Sequence, residues 1–125
     1  EAFQITGDES LTWNQIHETI AEAFDVTLRP CHVSSDFLAA VGKKYDLRGS
    51  LLGDKAVTVL FDNTKLKRLV PEMETHIRFD QGVRIARDYL TAHPELQVED
   101  PEFDAFCDAV VQARAYAQEE VLSKL

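Results

Sequence analysis

The chain has 125 residues, enough for one domain with a core, and 45% hydrophobic with 28% charged residues fits an ordinary globular domain. Lys plus Arg number 13 against 22 Asp plus Glu, a formal charge of −9, and so acidic a surface repels polyphosphate backbones and disfavours a general nucleic-acid role. The longest apolar run, residues 56–61, is far too short to cross a bilayer, and no cationic, hydrophobic signal segment precedes the fold.

The chain opens at Glu1 without an initiator Met, and residues 2–6 alternate with apolar Phe3 and Ile5, which predicts a short strand and a chain trimmed from something longer. Gly7-Asp8-Glu9-Ser10 reads as a turn. Thr12 stands three residues before Gln15, a capping-box spacing that predicts a helix over 13–24. Its apolar face carries Trp13, Ile16, Ile20, Ala23 and Phe24, with Asn14, Gln15, Glu18 and Glu22 on the other. Residues 26–33 read as a second strand, an edge or irregular one because Pro30 removes a ladder donor. Ser35-Asp36 starts a short helix over 37–41, ended by Gly42.

Residues 43–54 show no steady period and read as a loop with room for a helical turn. The apolar run 56–61 predicts a third strand, buried on both faces. Asp62 or Asn63 can cap a helix over 64–69 that stops before Pro71. Asp80 can cap the next helix, 81–92, whose apolar side is Val83, Ala86, Tyr89 and Leu90. Asp100-Pro101 is an N-cap followed by proline at the first helical position. Phe103, Phe106, Val110, Ala113, Ala117 and Val121 then recur at helical spacing, one long amphipathic helix over 101–124. The expected fold is α/β: a small mixed domain of about three short strands and four to five helices, spanning 1–125.

Few residues suggest chemistry. His17, His32, His76 and His93 form no i, i+4 pair with each other or with cysteine, so no metal site is expected. Cys31 and Cys107 have no metal or redox spacing and read as reduced packing residues of a cytoplasmic protein. No phosphate-cradling glycine loop and no Tyr-x-x-x-Lys occurs, so no catalytic residue is assigned. A basic group remains. Arg48 and Lys55 flank the entrance of the third predicted strand, with Arg29 upstream, and can hold a phosphate by charge-assisted hydrogen bonds. Lys65, Lys67 and Arg68 read instead as solvated charge on a helix face.

Three stretches carry a resemblance. They are Phe3-Gln4-Ile5-Thr6-Gly7 with Leu11-Thr12-Trp13-Asn14-Gln15-Ile16; Gly53-Asp54-Lys55 with Phe61-Asp62-Asn63-Thr64-Lys65-Leu66-Lys67-Arg68-Leu69-Val70-Pro71; and Phe79-Asp80-Gln81-Gly82-Val83-Arg84. In order and spacing they resemble the C-terminal, substrate-binding half of extended short-chain dehydrogenases/reductases of the NAD-dependent epimerase/dehydratase family, over roughly residues 1–90. The resemblance implies a Rossmann-type two-part enzyme whose missing N-terminal half binds NAD or NADP and carries the catalytic Tyr and Lys. This piece would then hold a nucleotide sugar or similar small molecule, bind no cofactor itself, and contact no membrane. Arg48 is the nearest match to the family's phosphate-holding arginine, five residues before Gly53. The usual Gly-Trp after the Asp-x-(Ser/Thr)-Lys helix is replaced by Val70-Pro71. Two rival expectations are a non-catalytic relative with an RNA-binding or regulatory role, and a helical interaction module docking through residues 101–125.

Overall fold

The computed structural model describes residues 1–125, apart from the side chain of Asp54. Five α-helices follow in order: α1 (Trp13–Ala23), α2 (Ser35–Val41), α3 (Thr64–Leu69), α4 (Phe79–Ala92) and α5 (Pro101–Leu122). Two 3-10 turns, Lys43–Tyr45 and Pro94–Leu96, and one π-helical turn, Gly49–Asp54, complete the regular structure. Among the described residues there is no strand, which overturns the expected α/β domain: the protein is all-helical. The segments 2–6, 26–33 and 56–61 are irregular instead. Their alternation and β-branched residues are compatible with strands, but a helix closes its hydrogen bonds within its own segment while a strand borrows them from a neighbour about 4.8 Å away. None of the three pairs with another.

The chain forms two compact units, Glu1–Arg29 with Thr58–Leu96, and Pro30–Val57 with Gln97–Leu125. In the first, α1 packs against α4. The start of α1 is set locally: Thr12 Oγ1 accepts from the Gln15 N–H at 3.2 Å, and Gln15 Oε1 accepts from the Thr12 N–H at 2.8 Å. Its end is a Schellman motif. Val26 N–H donates to Ala21 O at 3.0 Å and Asp25 N–H to Glu22 O at 3.2 Å, with Asp25 left-handed at φ 54°. Ala21 and Ala23 are buried, and Arg87 of α4 donates to Ala23 O at 2.6 Å. The α4 start departs from expectation. The helix begins two residues earlier than predicted: Gln81 Oε1 accepts from the Arg78 N–H at 3.0 Å, and Glu9 Oε2, from far away in sequence, accepts from the Phe79 N–H at 2.9 Å. Asp80 lies inside the first turn, where its charge suits the helix dipole, and its carboxylate meets Arg78 Nε at 3.2 Å.

In the second unit α2 is capped by Ser34, whose hydroxyl accepts from the Phe37 N–H at 3.3 Å. Gly42 ends α2 for want of space: a Cβ there would stand 2.5 Å from Leu47 Cδ1 and 2.8 Å from Leu38 O. The α5 helix opens as the Asp100-Pro101 pair predicts, with Asp100 Oδ1 accepting from the Phe103 N–H at 3.0 Å. Tyr45 then meets the rings of Phe103 and Phe106, each at a centroid distance of 4.9 Å, and Lys44 pairs with Glu102. Beyond Val110, which is buried, residues 111–125 are exposed throughout.

Little apolar surface is sealed. The buried hydrophobic residues are Ala21, Ala23, Ala39 and Val110, and no large side chain is fully buried. The accessible surface is 10413 Å² for 14.1 kDa. A folded monomer of that mass exposes about 6,700 Å², and two independent bodies of half the mass about 8,100 Å² together. The excess over even the two-body figure is roughly 2,000 Å².

Two substitutions should move stability in opposite directions. Asp25→Gly relieves the left-handed strain at the end of α1 and should stabilise by about 0.5–1 kcal/mol. Gly42→Ala drives a methyl into a backbone carbonyl and should destabilise by about 1–3 kcal/mol. Urea unfolding of the two variants beside the parent chain checks both signs.

Candidate functional site

The polar cluster at the Gly7-Asp8 turn of the first unit is assembled by side chains more than fifty residues apart. The α3 helix brings three of them. Asp62 Oδ1 accepts from the Thr64 N–H at 2.8 Å and so caps α3 from one position outside it. That frees Asn63, which sits at the N-cap position without capping. Its amide nitrogen donates to Thr6 O and to Asp8 Oδ1, both at 2.9 Å. Asn63 is 9% exposed, the sole polar residue among the buried ones described. One turn on, Lys67 Nζ meets Asp8 Oδ2 at 2.5 Å. Lys65 also turns back towards the chain's start: Nζ donates to Ala2 O at 3.0 Å, lies 4.5 Å above the Phe3 ring and stands 3.4 Å from the Glu1 carboxylate.

These contacts change the reading of the basic helix face. Lys65 and Lys67 are not merely solvated cations; they bind the opening segment to α3. Local sequence could not show it, because both carry partners at a separation of about sixty residues. The lysine hydrogen bond, then the Asn63 amide, hold the Asp8 carboxyl below the ordinary aspartate range. Asp62 is lowered too, by the Thr64 hydroxyl first and the Thr64 backbone N–H next.

Two clefts open on either side of the turn and share Thr6, Gly7 and Asp8. One, of about 440 Å³, is walled by Glu9, Ser10, Leu11 and the segment Val59 to Phe61. The other, of about 390 Å³, faces Asn63, Lys67, Met73 and Thr75. Thr6 lines both, and its Oγ1 is buried without a hydrogen-bond partner.

The sequence-assigned binding residues lie elsewhere. Arg48 and Lys55 stand at the two ends of the π-helical turn Gly49–Asp54 in the second unit, both exposed. Arg29, also exposed, belongs to the first unit, so the structure does not gather the three into one unit. None of them lines either cleft. Cys31 is half-buried, but Cys107 is exposed, so it is not the packing residue that its sequence setting suggested. Among the described residues no three of His, Cys, Asp and Glu converge as metal ligands, and no helix is long and apolar enough to cross a membrane.

No strand occurs among the described residues, and no glycine has a left-handed backbone. No family model matches the chain, and no curated protein or solved structure matches it either.

Acid should open the Asp8 cluster. A carboxyl whose folded pKa is depressed stabilises the fold above its unfolded value, and that contribution is lost as pH falls through the folded one. Carboxyl NMR titration should therefore place the Asp8 and Asp62 midpoints below 3.8, with Lys67 Nζ losing its partner over the same range. A midpoint at or above 3.8 for Asp8 would show that the lysine contact does not persist in solution.

Proposed function

We propose that this chain is the substrate-binding portion of an NAD(P)-dependent epimerase, dehydratase or reductase, completed by a separate nucleotide-binding half. The observation that carries the reading is the uncovered surface. Two independent bodies of this size would leave roughly 2,000 Å² less exposed, and a standard interface takes about 800 Å² from each partner. Large apolar side chains are among those exposed: Ile5, Leu60 and Phe61 in the first unit, Val57, Tyr116 and Val121 in the second. Two of the stretches behind the family resemblance also meet physically, because Asn63 of the Asp-x-Thr-Lys motif donates to the Thr6 carbonyl of the opening stretch.

In this reading the chain's own contribution is binding and orientation. Arg48 and Lys55, at the two ends of one helical turn, supply a guanidinium and an ammonium to the substrate's phosphate. Their fixed positive charge compensates for an overall −9 that would otherwise repel a phosphorylated ligand. The hydride and proton steps belong to the partner half, and no residue here takes part in them. The substrate class suggested is a nucleotide sugar or a related phosphorylated small molecule.

Calorimetry tests the division of labour. The 125-residue chain should bind neither NAD nor NADP and should turn nothing over. Joined to the preceding region of its gene product, it should gain cofactor binding, and Arg48→Ala should then raise KM for a nucleotide sugar about 10-fold or more with cofactor affinity unchanged. Cofactor binding with turnover by the isolated chain would sink the proposal.

A further inference from the structure

The smaller cleft of the first unit is independent of Arg48 and Lys55, and its chemistry points to a different ligand. We propose that it binds a small, uncharged, polyhydroxylated molecule of the size of a free hexose or cyclitol. Its volume, about 390 Å³, lies at the lower end of ligand-binding cavities. Charge narrows the class. Asp8 and Lys67 at 2.5 Å neutralise each other, and Glu74 leaves the lining with one net negative charge. The net negative lining repels a phosphate or carboxylate, and its carboxylates are already engaged rather than open to an amine: Asp8 by Lys67 and Asn63, Glu74 with His76 Nδ1 at 3.7 Å.

The hydrogen-bonding capacity selects hydroxyl groups. Lys67 has three donors and gives one to Asp8. The Thr75 hydroxyl both donates and accepts, and Glu74 accepts only. A ligand matching such a wall needs groups that act in both directions at short spacing. Met73 and Pro71 add an apolar floor for the C–H face of a ring. The wall is also held in place beforehand. Asn63 is nine-tenths buried, and its amide nitrogen is committed to Thr6 O and Asp8 Oδ1, so little ordering remains for a ligand to impose. Gly7 keeps the turn close to Thr75, since a Cβ there would stand 2.9 Å from Thr75 Oγ1.

Amide NMR of the full chain tests the site, with D-glucose and myo-inositol as probes and inorganic phosphate as the control. At least one of the two polyols should produce saturable shifts at Gly7, Asp8, Lys67, Met73, Thr75 and the Asn63 side-chain amide, with an affinity of about 1 mM. Phosphate should leave the same signals unmoved. Thr75→Trp fills the cleft from an exposed position, so it should keep the parent melting temperature and weaken binding about 10-fold or more. The inference is overturned by three outcomes: no shift at these signals with either polyol, stronger shifts with phosphate, or undiminished binding by a folded Thr75→Trp chain. None of these outcomes bears on cofactor binding by the partner half.

Discussion

The Asp8 carboxylate accepts from Lys67 on one oxygen and from Asn63 on the other, and the order of the first unit follows from that pair of bonds. It fixes the Gly7-Asp8 turn against α3, and the Asn63 amide secures the Thr6 carbonyl beside it. The next residue, Glu9, caps α4 from the same turn, and α4 in turn reaches the end of α1 through Arg87. A four-residue turn therefore orients three helices. Polar links carry this role because the apolar core is so small: the buried apolar residues of this unit are two alanines of α1, Ala21 and Ala23, and no large side chain is fully buried. Charge-assisted bonds have directions, whereas apolar contact does not, so they set the register that packing leaves loose.

A thin core has a consequence for stability and for role. Hydrophobic burial is the main term opposing chain entropy, and here much of the available apolar area stays in water. The Tyr45–Phe103–Phe106 cluster anchors only the first turns of α5, and the remaining turns present Tyr116, Val121 and Leu122 to solvent. Such a chain gains most of its missing stabilisation from whatever covers it. The proposed two-part enzyme and the uncovered surface are in this sense one argument, since a half-cleft exposes on folding what its partner later buries.

The helices and their ends were legible in the sequence because each is a local problem. Thr12 with Gln15, and Asp100 with Pro101, satisfy orphan N–H groups three residues away, so spacing alone identifies them. The α4 start is only partly local: Asp80 is a competent cap by type, yet Gln81 takes the Arg78 N–H and Glu9, seventy residues upstream, takes the Phe79 N–H, so the helix begins at Phe79. The basic residues divide in the same way. Arg29, Arg48 and Lys55 were chosen by charge and position, and the structure leaves them exposed in two different units. Lys67 was set aside as solvated, and it proved to be a wall of the polar cleft.

What the sequence determined by itself was therefore everything that closes within about four residues: the helical periods, most of the caps and the proline stops. Tertiary structure decided what requires a distant partner. It left the patterned segments 2–6, 26–33 and 56–61 without a ladder, because β pairing needs a second strand that composition cannot supply. It also set Lys67 beside Asp8, because a lysine's role depends on the carboxylate that folding brings beside it.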